Sequence, residues 1–167
     1  MAERPEFAEF VAARSPALLR TARLLTGDWA SAEDLLQDSL ATCWRRWSRI
    51  SGNPEPYVQK VMLHTYLAWS RRLWTRERPT EVLPETQVDD TTGRIADEDE
   101  VHAALRRLPR RQRAVVVLRY FDDLSEAETA RLLGISTGTV KSQTSKALAA
   151  LRVDDGLTTD RPRHEVS

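Results

Sequence analysis

The side chains with the most specific spacing lie in residues 124–148, where two short helical patterns flank a glycine. Ser125 and Glu128 form the S-x-x-E pattern of a capping box, which predicts the start of the first helix. Gly134 stands where a left-handed helix end favours a residue without a β-carbon, and Ser136 can cap the second helix. This pattern predicts a helix-turn-helix whose second helix can lie in a major groove. The expected inner face of the first helix is Ala127, Ala130 and Leu133.

The predicted second helix has an apolar face that begins at Val140, and its other positions are mostly small or polar. The predicted DNA contacts are Thr137, Thr139, Lys141, Ser142, Gln143, Ser145 and Lys146. Hydroxyl and amide groups can hydrogen-bond base edges, whereas lysine ammonium groups meet phosphates. A helical hairpin that only packs is the alternative, and the complete cap, glycine turn and polar second helix favour DNA binding over it.

A second unusual helix is predicted over residues 56–74, because apolar side chains occur on both of its faces. The face opposite the expected core groups Leu63, Leu67 and Trp74. Polar and basic neighbours flank this face: Lys60, His64, Arg71 and Arg72. Apolar and aromatic groups interleaved with arginine suit unstacked bases on a charged backbone track. A packing surface for another helix would look similar, so both interpretations stay open.

Patterns for catalysis, cofactors or metal ions are missing from the sequence. The histidines His64, His102 and His164 stand far apart without a partner at ligand spacing. The only cysteine, Cys43, excludes an internal disulfide and a cysteine-built zinc site. The longest apolar stretch, residues 114–118, is too short to span a bilayer, and the N-terminus lacks the apolar core of a secretion signal. We therefore expect a cytoplasmic protein that is not an enzyme and needs no cofactor.

The 25 basic and 25 acidic side chains cancel over the 167 residues, but they are unevenly distributed. Residues 101–152 hold 10 basic and 4 acidic side chains, whereas residues 75–100 hold 3 and 9. This distribution favours a polyanion-binding unit beside a segment that repels polyanions, with ordinary solvated surface as the alternative.

The periodicity predicts an all-α fold of two small helical domains. Residues 1–74 are helical in pattern, with a break or kink at Pro16 and a helix start at Ser31. Residues 75–97 lose the periodicity and form a flexible acidic linker that can stretch to ~75–80 Å. Helical pattern resumes over residues 98–152, and residues 153–167 are expected to be a disordered tail.

Both halves together resemble the extracytoplasmic-function sigma factors, the small initiation subunits of bacterial RNA polymerase. Residues 32–40, Ala-Glu-Asp-Leu-Leu-Gln-Asp-Ser-Leu, are similar to the family's region 2.2, which docks on the polymerase β′ subunit. The resemblance implies polar contacts from Asp34, Gln37 and Asp38, supported by Leu35 and Trp44. Residues 57–72 are similar to regions 2.3–2.4, which open and read the −10 element. Residues 108–113 and the helix-turn-helix are similar to region 4, which reads the −35 element.

The resemblance implies a sigma factor whose partners are the RNA polymerase core, through its β and β′ subunits, and promoter DNA, without membrane insertion. An anti-sigma factor is a further candidate partner. Many relatives carry asparagine at the position of His64 and arginine at those of Gln143 and Lys146, which bears on the promoter sequence read. A stand-alone helix-turn-helix regulator, dimeric on a palindromic site, is the alternative. A helical adaptor without DNA contacts would leave the polar face of residues 139–146 unexplained.

Overall fold

The computed structural model describes residues 4–76 and 96–156, with side chains described for residues 4–69 and 100–152. Those ranges consist of α-helices joined by short turns, which confirms the all-α prediction. The helices are α1 (Pro5–Thr26), α2 (Trp29–Arg46), α3 (Glu55–Arg76), α4 (Ala96–Arg107), α5 (Arg110–Val116), α6 (Glu126–Leu133) and α7 (Thr137–Gly156). The ends of α3, α4 and α7 include residues 75–76, 96–97 and 153–156, so the predicted linker and tail begin or end too far into the helices. The rest of the predicted linker and tail, residues 77–95 and 157–167, lies outside the described residues and stays a prediction.

Helices α1–α3 form an N-terminal module. The sequence predicts a break or kink at Pro16, yet α1 continues through this residue, so the break is wrong. Proline removes one backbone donor and crowds the carbonyl four residues earlier, at Ala12. Both Ala12 and Pro16 are exposed, so water can reach this side of the helix. Helix α1 ends instead at Gly27, whose φ of +92° closes the helix in the left-handed conformation.

Helix α2 begins three residues earlier than predicted. The Asp28 side chain is the N-cap and accepts a hydrogen bond from the Ser31 backbone N–H at 2.8 Å. Asp28 is free to cap because it directly follows the turn at Gly27, and Ser31 therefore lies inside the first turn. The buried face of α2 is the predicted one and includes Ala32, Leu35, Leu36, Cys43 and Trp47.

Helices α4–α7 form a C-terminal module that contains the helix-turn-helix. A single turn of π-helix, Val117–Phe121, follows α5 and is called the π-turn below; the chain then continues to α6. On α6, Ala130 is buried and Leu133 half-buried as predicted, but Ala127 is exposed and Thr129 is fully buried in its place. The inner face of α6 is rotated from the predicted one because α6 packs on α3 as well as on α7.

The two modules share one hydrophobic core. Leu63 and Tyr66 of α3 are buried in the same cluster as Leu105, Leu108 and Leu118 of the C-terminal module. The placement of Leu63 on an outer face of α3 is therefore wrong, since Leu63 has no exposed surface. For this residue the packing alternative holds: the second module covers the second apolar face of α3.

The turn at Gly134 gives the first prediction. Gly134 has a φ of +66°, and no atom lies within 4 Å of the place a β-carbon would take, so a side chain meets backbone strain rather than a clash. We expect Gly134→Ala to lower the free energy of unfolding by about 1–2 kcal/mol, measured by urea denaturation. Gly138→Ala is the matched control, because Gly138 is helical, and it should be neutral or stabilising by about 0.5–1 kcal/mol. Equal losses in both variants would contradict the assignment of strain to Gly134.

Candidate nucleic-acid interface

The start of α6 has the complete capping box that the sequence predicts. Ser125 Oγ accepts a hydrogen bond from the Glu128 backbone N–H at 3.1 Å. In return, Glu128 Oε2 accepts one from the Ser125 backbone N–H at 2.8 Å. The hydrogen bonds from Ser125 favour the ionised carboxylate, so they lower the pKa of Glu128 below its ordinary value of 4.5.

The turn between α6 and α7 fixes the direction of the second helix. Gly134 caps α6 in the left-handed conformation, and the Ile135 N–H donates to the Ala130 carbonyl at 3.1 Å. Ser136 Oγ then accepts the Thr139 N–H at 3.1 Å, which satisfies a free donor at the start of α7. The side chain of Val140 is fully buried and holds α7 against α5 and α6.

The predicted DNA contacts of α7 divide into two groups. Five side chains are exposed: Thr137, Lys141, Ser142, Ser145 and Lys146. Thr139 and Gln143 are half-buried instead and face α3. Lys141 Nζ lies 3.8 Å from Glu126 Oε2, a loose exposed pair that the sequence pattern did not indicate. Pairs of this kind contribute ~0–1 kcal/mol, so a phosphate can displace Glu126 readily.

The predicted single-strand face of α3 is only partly open. Lys60 and His64 are exposed, and Leu67 is half-buried. Arg71 and Arg72 belong to α3, but their side chains lie outside the described residues. His64 and Leu67 line the same cleft as Thr139 and Gln143 of α7, with a volume of about 340 Å³. The structure thus brings the two predicted DNA-reading faces together, which the sequence did not indicate.

The predicted polymerase contacts lie on α2. Asp34, Gln37 and Asp38 are all exposed and share one side of the helix at i, i+3 and i+4 spacing. Leu35 has no exposed surface, so it supports this side of α2 from within rather than touching a partner. Trp44 is half-buried and packs edge-on against the Phe7 ring, with 5.0 Å between the ring centroids.

The residues that join the two modules were not predicted from the sequence. Arg113 of α5 is buried, and its Nη1 donates to the Leu25 carbonyl at 2.7 Å and to Tyr66 Oη at 3.3 Å. Arg113 also donates to carbonyls of its own module, those of Leu105, Arg106 and Leu108. The signal in the sequence is that Arg113 stands directly before the apolar run 114–118, where a charged residue needs buried acceptors.

A second polar contact crosses between the modules. Thr21 Oγ1 of α1 lies 3.0 and 3.2 Å from the two carboxylate oxygens of Asp122, which follows the π-turn. Burial raises the pKa of Asp122, and the hydrogen bond from Thr21 opposes that rise. The π-turn positions Asp122 through a bond from its N–H to the Val117 carbonyl at 3.0 Å.

Three further features concern possible metal ligands, membrane-crossing helices and the cysteine of the described part of the chain. No cluster of three metal-ligating side chains occurs among residues 4–69 and 100–152. Within the same ranges, no helix combines the length and apolar character needed to cross a bilayer. Cys43 is buried, and burial raises the pKa of its thiol to about 11.

Comparison with known proteins identifies the family. The profile for Sigma-70 region 2 matches residues 10–76, and that for Sigma-70 region 4 matches residues 98–151. The RNA polymerase sigma-E factor of Streptomyces coelicolor is 45% identical over 154 residues, which cover 91% of this chain and 87% of the relative. The chain belongs to the sigma-70 family. The extracytoplasmic-function sigma factor SigM of Mycobacterium tuberculosis is 34% identical over 137 residues, 80% of this chain and 69% of that protein.

Solved structures agree with this assignment. RpoE of Bartonella quintana, crystallised with the anti-sigma factor NepR, has the same fold with a TM-score of 0.71 at 22% identity, covering 95% of this chain and all of that one. SigJ of Mycobacterium tuberculosis has a TM-score of 0.61 at 31% identity over 87% of this chain and 53% of that chain. The prediction of two domains, regions 2 and 4, is confirmed. This chain is a non-enzymatic sigma factor that directs RNA polymerase core to promoter DNA, and the stand-alone regulator is not favoured.

The capping box predicts a pH-dependent contribution to stability. A carboxylate whose pKa is lowered by folding stabilises the fold above its ordinary pKa, and the effect is lost as pH falls through the folded value. We expect Glu128→Ala to lower the free energy of unfolding at pH 7, with the difference from the parent chain shrinking below pH 4.5. Urea denaturation at a series of pH values between 7 and below 4.5 measures this difference in the free energy of unfolding. Glu126→Ala is the control, since Glu126 takes no part in the capping box and has a loose pair with Lys141. A difference independent of pH would contradict the role of the charge.

Proposed function

We propose that this sigma factor reads the −35 promoter element with α7. The observation that supports this proposal most directly is the orientation of α7. The buried side chains of Val140 and Ala147 anchor the helix, and its short polar side chains are exposed on the other side. Ser142 and Ser145 are exposed, and their short side chains keep the hydroxyl groups close to the α7 backbone. Helix α7 can therefore approach base edges closely. Lys146 adds positive charge for phosphates.

We further propose that α3 binds the −10 element as unstacked DNA. Lys60 and His64 are exposed beside the half-buried Leu67, which combines positive or hydrogen-bonding groups with an apolar surface on which a base can lie. Arg71 and Arg72 continue the positive charge along the same helix in sequence. The exposed side of α2 with Asp34, Gln37 and Asp38 is the proposed docking surface for the polymerase core, supported by Leu35 and Trp44.

An anti-sigma factor is a proposed regulatory partner, and the cytoplasm is the proposed location. RpoE of Bartonella quintana was crystallised with the anti-sigma factor NepR, and CnrH with the cytosolic domain of CnrY. CnrH has a TM-score of 0.67 over 95% of this chain at 21% identity. These two complexes support an anti-sigma factor as a partner because RpoE and CnrH have the same fold as this chain.

The role of Gln143 is testable in the holoenzyme. A residue that reads a base should change discrimination at one position, whereas a phosphate contact should affect all sequences alike. We expect Gln143→Ala to cost about 1–3 kcal/mol at one base pair of the −35 element, measured by competitive transcription of a promoter library with reconstituted holoenzyme. Lys146→Ala is the control and should weaken every promoter similarly. A uniform loss in Gln143→Ala would contradict its base-reading role.

The polymerase surface on α2 is tested by binding. We expect the double variant Gln37→Ala, Asp38→Ala to weaken core polymerase binding at least tenfold, about 1.4 kcal/mol, because hydrogen-bonding and charged groups are lost at the contact. Titration of fluorescent sigma factor with core polymerase measures the affinity, and circular dichroism checks helical content. Glu9→Ala, which removes an exposed carboxylate on α1, should bind core like the parent chain. Unchanged affinity in the double variant would refute this surface.

A further inference from the structure

A cleft with a volume of about 340 Å³ lies between α3 of the N-terminal module and α5, α6 and α7 of the C-terminal module. The apolar part of its lining includes Leu67, Val115, Leu133 and Ile135. Val115 has no exposed surface, and Leu133 and Ile135 pack against the core cluster that contains it. Side chains whose positions are fixed by core packing hold a binding surface in one shape. The core of the helix-turn-helix therefore keeps this apolar wall in place.

The polar part of the lining comes from three helices: His64 lies on α3, Arg111 on α5, and Thr139 and Gln143 on α7. Thr139 Oγ1 lies 2.9 Å from Ser136 Oγ and shares a hydrogen bond with it. The side chains of His64, Arg111 and Gln143 make no hydrogen bond or ion pair with any group in the part of the chain that the structure describes. Three groups that converge on one cleft thus keep their hydrogen-bonding capacity for a ligand.

The charge of the lining selects the sign of the ligand. Arg111 brings a guanidinium, which stays protonated at physiological pH, and none of the described residues that line the cleft is acidic. A guanidinium binds a carboxylate or a phosphate through two parallel N–H···O bonds. Pockets for small ligands combine apolar walls with a few polar groups and have volumes of about 300–1,000 Å³, so this cleft lies near the lower end of the range. Its charge and size together favour a small organic anion.

We propose that this cleft binds a small organic anion with one acidic group and an apolar body. The acidic group pairs with the guanidinium of Arg111. The apolar body lies against Leu67, Val115 and Ile135. A carboxylate and a phosphate share this chemistry, and matched probes separate them. The site does not depend on the proposed reading of DNA, in which Arg111, Val115 and Ile135 have no role.

Three probes with one ring system test the charge of the ligand: 2-naphthoate, 2-naphthyl phosphate and 2-naphthalenemethanol, which has no acidic group. Proton–nitrogen correlation spectra of the isotope-labelled full chain locate each probe. We expect both anions to shift the amide signals of Gly134 and Thr139 and the side-chain amide of Gln143, with a dissociation constant on the order of 1 mM for ligands of this size. The alcohol should bind about tenfold more weakly, because it lacks charge-assisted hydrogen bonds. The tighter of the two anions identifies the acidic group. Equal affinity for the alcohol, or no shift at these signals, would overturn the anion site.

Arg111→Gln removes the charge and keeps a polar side chain at an exposed position. We expect this variant to bind both anions about tenfold more weakly and the alcohol as the parent chain does. Arg20→Gln is the matched control, because Arg20 lines a second groove with apolar side chains, among them Trp29 and Phe121. The control should bind all three probes like the parent chain. Anions that shift the Trp29 indole signal and bind Arg20→Gln more weakly would place the site in that groove and overturn the assignment.

Ala68→Phe tests the apolar part of the site without changing its charge. Ala68 is exposed and lines the cleft, so a ring at this position takes up the space of the ligand. We expect all three probes to lose their shifts at Gly134 and Gln143. Ala13→Phe, the same change at an exposed position of α1, should bind them like the parent chain. Circular dichroism verifies that both variants keep their helices. Unaltered binding in Arg111→Gln and Ala68→Phe would overturn the proposal, and neither result bears on the base preference measured with Gln143→Ala.

Discussion

The guanidinium of Arg113 donates five hydrogen bonds to acceptors on α1, α3 and the end of α4, and the arrangement of both modules depends on these acceptors. A buried charge costs several kcal/mol unless its partners are in place. Burial lowers the pKa of Arg113, and the nearby Tyr66 opposes that fall. The cation is therefore tolerated because two modules each provide acceptors. Without the N-terminal module, Nη1 must find water instead.

The hydrogen bonds between the modules contribute less to holding them together than the apolar contacts do. Breaking a hydrogen bond in water costs only about 0.5–1.5 kcal/mol when both partners become hydrated. The apolar contact between the modules, with Leu63 and Leu105 in one core, resists separation more strongly. Any ligand that separates the modules must supply that free energy, since a ligand shifts an equilibrium only by its differential affinity for the two states.

The features that the sequence predicted correctly are local ones. Ser125, Glu128 and Gly134 act within a few residues of chain, so the cap and the turn of the helix-turn-helix can be recognised from spacing alone. The start of α2 was misplaced because two capping residues, Asp28 and Ser31, lie three positions apart, and only the backbone decides between them. Leu63 and the inner face of α6 were misplaced because each depends on the other module. Periodicity identifies an apolar face but does not tell what covers it.

The shared cleft also constrains which side chains the proposed DNA-reading positions can carry. Arg111 lines the cleft together with His64 and Gln143, so a positive charge is already present where α3 meets α7. An arginine at position 143, common in the family that the sequence resembles, would place a second guanidinium in the cleft, and like charges at close range destabilise one another. A neutral amide avoids this repulsion and can still donate and accept hydrogen bonds at a base edge. Gln143 is thus compatible with the packing of the two modules, and its amide keeps the groups that the proposed reading of a base requires.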